Sequence, residues 1–69
     1  MTYIRVEIEE TGGKINSGWY TGVALEVTNI KKRALCYLED ELAIMTATRL
    51  TQVFHKGVES VTATVERKI

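Results

Sequence analysis

Cys36 and His55 are the residues of this chain that could form a nucleophile and its general base. They are the only cysteine and the only histidine. A thiol and an imidazole act together only when they lie within hydrogen-bond distance, and a third group is needed to orient the base. We expect Cys36 on the inward face of a strand, where cysteine behaves as a small hydrophobe, and His55 on the side of a helix away from the core. The sequence therefore predicts no catalytic residues, and we expect a protein that is not an enzyme.

The same two residues bear on metal binding and disulfide formation. One cysteine cannot form a disulfide within the chain, and one cysteine with one histidine does not complete a four-ligand zinc site. Glu7 and Glu9 lie two residues apart on a predicted strand, which is typical of a solvated face rather than of a cation site or an acid–base pair. We expect no metal and no cofactor.

Glycines around Lys14 offer a superficial likeness to a phosphate-binding loop. They stand at Gly12, Gly13, Gly18 and Gly22. Their spacing fits neither the P-loop pattern nor the dinucleotide-binding pattern, and no predicted helix follows to present its N-terminus to an anion. Turns and bends of the chain are the simpler interpretation.

Length and charge narrow the classes of function. The chain has 69 residues, with nine basic and nine acidic side chains, so we expect a single domain over residues 1–69 without a general attraction to nucleic acid. Its longest apolar run, residues 34–38, is far shorter than the roughly 20 residues of a membrane span. No signal-peptide pattern follows Met1, so a cytoplasmic protein is expected. Domains this small are often stabilised by disulfides, metals or oligomerisation. Because neither a disulfide nor a metal site is expected here, good packing or self-association must stabilise the fold.

Alternation of apolar and polar residues predicts a first strand over residues 3–11. The Gly12-Gly13 pair favours a two-residue hairpin turn, which would place Val6 opposite Trp19. Under that register the predicted inner face carries Ile4, Val6, Ile8, Ile15, Trp19, Val23, Leu25 and Val27.

The rest of the chain predicts a third strand, a helix and a fourth strand. A turn at residues 29–32 would lead into a strand over residues 33–38 with Cys36 inward. A helix is expected over about residues 41–56, with Asp40 as its N-cap and Gly57 as its C-cap. Its predicted core stripe consists of Leu42, Ala43, Leu50, Val53 and Phe54. The chain would close with a strand from Val58 to Ile69.

These elements define an α+β fold in the order β-β-β-α-β. A small, mostly antiparallel sheet of about four strands would carry one helix on one face. One alternative is a single long helix over residues 30–56, which would place three basic residues at its unfavourable N-terminal end.

The outer face of this sheet is the predicted working surface, because it is too apolar for a merely solvated face. The residues expected to contact a partner are Tyr3, Arg5, Tyr20, Leu35 and Tyr37. Tyrosine gives large, rigid contact area at low entropic cost. We therefore expect a small protein-binding module, such as an inhibitor, adaptor or regulator, whose partner is another protein or a second copy in a homodimer. A smaller secondary contact is expected at Ile44, Thr48 and His55 of the helix.

Binding of single-stranded nucleic acid is the alternative function for the same face. Its aromatic rings would stack on bases, and the phosphates would be contacted by Arg5, Lys31, Lys32 and Arg33. Acidic residues on the same face, at Glu7, Glu9 and Glu26, would repel a phosphate backbone. A protein partner is therefore favoured.

Overall fold

The computed structural model describes residues 1–67, and its sheet has four antiparallel strands in the order β3-β2-β1-β4. The elements are β1 (Thr2–Glu10), β2 (Ile15–Tyr20), β3 (Val27–Thr28), a 3₁₀ helix (Lys31–Arg33), α1 (Asp40–Gln52) and β4 (Val58–Arg67). The predicted α+β class and the order β-β-β-α-β are confirmed. The last two residues of the predicted fourth strand, Lys68 and Ile69, lie outside the described residues.

The core lies between β1 and α1. Strand β1 alternates strictly, so that Ile4, Val6 and Ile8 all point toward the helix and are buried. The helix meets them with Ala43, Ala47 and Leu50. Beside β1, the apolar residues of β4 stand opposite this row, and the pairs are Ile4 with Val65, Val6 with Ala63 and Ile8 with Val61.

The register of the first hairpin differs by one residue from the prediction. Trp19 pairs with Arg5, and Val6 pairs with Gly18. The loop holds three residues rather than two, because the Glu10 N–H donates to the carbonyl of Lys14 (2.7 Å) and thereby extends the ladder by one pair. A slip of one residue moves every side chain of a strand to the opposite face. Trp19, predicted inward, therefore lies on the outer face.

The third strand is also placed differently. It is the two-residue β3, which pairs with Trp19 and Tyr20, whereas the predicted strand over residues 33–38 forms only one isolated bridge, between Tyr37 and Thr2. The alternative of one long helix is wrong as well, because the backbone is extended at Ala34 and at Glu39. Strand β2 ends at Tyr20, before a turn with positive φ at Gly22 and Ala24. Val23, predicted to be buried, is 63% exposed.

The helix is shorter than predicted, and its core stripe is different. It begins at Asp40, with Glu39 as the N-cap, and ends at Gln52. Beyond that end Val53 and Phe54 no longer follow the helical period, and Phe54 is 86% exposed. Leu42, the other misplaced member of the predicted stripe, is also exposed, and the buried helical residues are Ala43, Ala47 and Leu50.

Gly57 does not cap the helix. Its positive φ of 78° belongs to the turn that leads into β4, where the Val58 N–H donates to the carbonyl of His55 (3.2 Å).

Candidate protein-binding surface

The outer surface of the sheet, on the side away from α1, carries a group of aromatic and charged side chains. We call it the aromatic face, and it consists of Tyr3, Arg5, Trp19, Lys31 and Glu66. Register brings most of the group together, because Arg5 stands opposite Trp19 on β2 and Tyr3 stands opposite Glu66 on β4. Lys31 reaches the face from the 3₁₀ helix.

Each aromatic ring of this face has a cation above it. The guanidinium carbon of Arg5 lies 4.7 Å from the centroid of the Trp19 ring, and Nζ of Lys31 lies 5.4 Å from the centroid of the Tyr3 ring. Both distances are within the range of a favourable cation–π interaction. Tyr3 and Trp19 are both half-buried and therefore keep part of their surface exposed.

Glu66 links the two neighbouring strands of the face. Nε1 of Trp19 donates to Oε1 of Glu66 (3.2 Å), and Nε of Arg5 lies 3.9 Å from Oε2 of the same carboxylate. Trp19 is thereby held on one side by a hydrogen bond and on the other by a stacked cation. The carboxylate also balances the charge of Arg5, so the centre of the face is amphipathic rather than strongly basic.

Two of the three predicted tyrosines lie on the opposite side of the sheet. Tyr20 is only 9% exposed and belongs to the core, and Tyr37 packs against that core. Burial raises the pKa of Tyr20, and the neighbouring Tyr37 hydroxyl raises it further. The prediction that both lie on the outer face of the sheet is wrong. The slip in register moved Tyr20 inward, and Tyr37 follows the inward-pointing Thr2 with which it is bridged.

Leu35 is exposed, so its contact with a partner stays a prediction, whereas Cys36 is not on the inward face of a strand. Leu35 is 38% exposed, but it packs close to Gly22, and its N–H donates to the carbonyl of Tyr20 (2.9 Å). Cys36 was expected inward, whereas it is half-buried beside Tyr3. Partial burial raises the pKa of the Tyr3 phenol, and the Cys36 side chain raises it further through charge and a hydrogen bond.

The basic run named for the nucleic-acid alternative is exposed over its whole length. Lys31, Lys32 and Arg33 form the 3₁₀ helix. Of these three residues, Lys31 has a cation–π contact with an aromatic ring among the contacts of the described residues. The run therefore shares Lys31 with the aromatic face.

Of the three residues of the predicted secondary contact, Ile44 and Thr48 lie together on the helix, and His55 does not lie on it. Ile44 is 52% exposed, and Thr48 one turn later donates its hydroxyl to the carbonyl of Ile44 (2.9 Å). His55 lies beyond the end of the helix, where Nε2 is 3.2 Å from the carbonyl of Leu50. It lines a pocket of about 200 Å³ together with Tyr20 and other residues, on the helix side of the sheet.

Trp19 is the residue of the aromatic face that the sequence pattern predicts on the inner face of the sheet. A signal was available, because the slipped register aligns the Trp19 ring with Arg5 and thereby gives a cation–π pair. The Gly12-Gly13 pair favours a two-residue turn, and under that register the apolar residues of both strands also share one face, so both signals point to the other pairing.

Comparisons with known proteins found no match. No protein-family model, no curated protein and no solved structure matches the chain. Within residues 1–67, no cluster of three or more potential metal ligands is present. No helix of that part of the chain is long and apolar enough to cross a membrane.

Proposed function

We propose that this protein is a small, non-enzymatic binding module, of the inhibitor, adaptor or regulator kind, which holds a protein partner against its aromatic face. The observation that supports the proposal best is the arrangement of Trp19. Its ring lies on the face of the sheet that α1 does not cover, and Arg5 and Glu66 hold it in place.

The residue types of this face are those that dominate protein interfaces. Tryptophan, tyrosine and arginine are enriched among the few residues that carry most of the binding free energy. Because Trp19 is already fixed by Glu66 and Arg5, little side-chain entropy would be lost on binding. A flat aromatic centre with charged neighbours suits a protein surface that buries the rings and pairs with Lys31.

Single-stranded nucleic acid is the second candidate for the same face. Lys31 above the Tyr3 ring supports it, since stacking rings bordered by cations are what such sites require. Against it, Glu66 occupies the centre of the face, and Glu7 and Glu9 are exposed farther along β1. Carboxylates in these positions would repel phosphates, so we prefer the protein partner.

The non-enzymatic part of the proposal is supported by the separation of Cys36 and His55. Cys36 lies next to Tyr3 on the outer side of the sheet, and His55 lies on the helix side. A cytoplasmic location belongs to the same proposal. The chain has one cysteine and therefore no internal disulfide, and cytosolic proteins rarely contain disulfides.

Affinity capture from a lysate of the source cell, with and without nuclease, tests the proposal. The immobilised proteins are the wild type, Trp19→Ala, and Phe54→Ala as a matched control, since Phe54 is an exposed aromatic residue away from the face. We expect a protein that survives nuclease treatment and is lost only with Trp19→Ala. Recovery that disappears with nuclease would favour the nucleic-acid candidate instead. A partner that Trp19→Ala retains would contradict the proposed surface.

A further inference from the structure

Strand β4 lies at the edge of the sheet, and its middle is open to pairing. Within residues 1–67, β4 is hydrogen-bonded to β1 on one side only. Proteins usually protect such an edge with charged residues, proline or bulges. The ends of β4 have these features, namely a bulge near Glu59 and the charged Arg67. The six residues from Ser60 to Val65 contain no charge and no proline.

The sequence of this open segment is complementary to itself. In an antiparallel pairing centred on Ala63, Val61 of one copy stands opposite Val65 of the other, and Thr62 stands opposite Thr64. Apolar residues therefore meet on the helix side of the sheet, and Thr–Thr pairs form on the outer side. Both kinds of cross-strand pair are favourable. At each end the same register brings Glu59 near Arg67 of the second copy, so that opposite charges flank the pairing.

Neighbouring registers lack this match. Centring the pairing on Thr62 places Val65 opposite Glu59, and centring it on Thr64 places Val61 opposite Arg67. Registers shifted by one residue would put the two helices on opposite sides of the joined sheet, because side chains alternate along a strand. The pairing centred on Ala63 is the one that aligns both faces.

One side of α1 lies above the same open edge. Asp40 at the start of the helix pairs with Arg67 of β4, and Thr51 near its end lines a small depression with Val61. At about 100° per residue, Ile44 and Thr48 fall on the side of the helix that Asp40 and Thr51 share. Ile44 is 52% exposed, and it is thus a large apolar residue on the side of the helix that carries the contacts with β4.

We propose that two copies of this chain associate through β4, antiparallel and centred on Ala63, with Ile44 of each copy covered by the helix of the other. The two four-stranded sheets become one sheet of eight strands. This dimer does not depend on the proposed function, because it leaves both aromatic faces exposed on the outer side of the joined sheet.

The first test is the molar mass in solution as a function of concentration, measured by sedimentation equilibrium. We expect twice the mass of one chain at high concentration. Ile44→Glu should weaken the dimer at least about tenfold, a loss of roughly 1.4 kcal/mol. Met45→Glu is the matched control and should leave the dimer unchanged. Met45 is a neighbouring helical residue of similar exposure, 59%, but it lies about 100° farther round the helix. Circular dichroism confirms that each variant is folded.

A charge exchange tests the register. Thr62→Lys combined with Thr64→Lys places like charges opposite each other twice, and Thr62→Glu combined with Thr64→Glu does the same with the other sign. Each doubly substituted protein should dimerise at least about tenfold more weakly than the wild type, and an equimolar mixture of the two should recover the dimer.

Two results would overturn the inference. One is a wild-type protein that is monomeric at every concentration. The other is a dimer that survives Ile44→Glu and both charge variants but is lost with Trp19→Ala, because the aromatic face would then be the dimer contact. Partner capture that fails while the β4 dimer forms would refute the proposed function and leave this inference intact.

Discussion

Thr2, at the start of β1, donates a hydrogen bond from its hydroxyl to the carboxylate of Asp40, the first residue of α1. Thr2 is 1% exposed, and the same carboxylate pairs with Arg67 at the end of β4. One carboxylate therefore joins the helix to the central strand and to the edge strand. Because acidic groups are also favoured at a helix N-terminus, Asp40 contributes to the helix and to its position at once.

Replacing Thr2 by valine should lower the stability of the fold. The change keeps the shape of the side chain but removes the hydroxyl donor, which we expect to cost about 1–2 kcal/mol. Thermal unfolding followed by circular dichroism should show a Tm lower by at least about 4 °C for a domain of this size. Thr11→Val, in the exposed loop after β1, is the control and should change the Tm little. An unchanged Tm in Thr2→Val would mean that this hydrogen bond does not hold the helix.

Gly18 should not tolerate a side chain. It is buried on β2, and a Cβ at this position would lie 2.7 Å from the carbonyl oxygen of Thr28 on β3. Because the obstacle is backbone, Gly18→Ala must push β3 away, which we expect to cost about 1–3 kcal/mol.

Urea unfolding measures this cost. Ser17→Ala, one residue earlier and exposed, is the control and should unfold near the wild-type midpoint. Equal midpoints for Gly18→Ala and Ser17→Ala would contradict the close packing of β3 on β2.

Alkaline pH should destabilise the protein partly through Tyr20. Burial raises the pKa of Tyr20, and Tyr37 adds to the effect, so the folded protein retains a proton that the unfolded chain releases near pH 10. The contribution of Tyr20 to stability is therefore full below about pH 10 and is lost as the pH rises through the raised pKa of the folded state.

The comparison of wild type with Tyr20→Phe isolates this contribution. Urea midpoints at about pH 9 and about pH 11 should fall more steeply in the wild type, because phenylalanine has no proton to lose. Parallel falls in the two proteins would show that Tyr20 does not titrate differently in the folded state.

The order of elements and the core of β1 were predictable because they depend on short-range patterns. Alternation placed Ile4, Val6 and Ile8 inward, and the same pattern placed Val61 and Val65 in the fourth strand. These positions need only the period of a strand, which is the same wherever the strand lies in the sheet.

The composition of the aromatic face was predicted less well, because it depends on the register of the strands. A loop of three residues instead of two moved Trp19 outward and Tyr20 inward. Hairpin loops of two and of three residues both commonly contain glycine. Which of the two lengths forms depends on hydrogen bonds that exist only in the folded chain. The orientation of Tyr37 depends on its bridge to Thr2, which is a contact between residues far apart in sequence.

The most direct test of the central claim is the affinity of the captured partner for three purified proteins, measured by isothermal titration calorimetry. These are the wild type, Trp19→Ala and Phe54→Ala. If the aromatic face binds the partner, Trp19→Ala should lose at least about 2 kcal/mol of binding free energy, while Phe54→Ala binds as the wild type does. Undiminished binding by a folded Trp19→Ala protein, with loss in Phe54→Ala, would contradict the account and place the contact near the end of the helix.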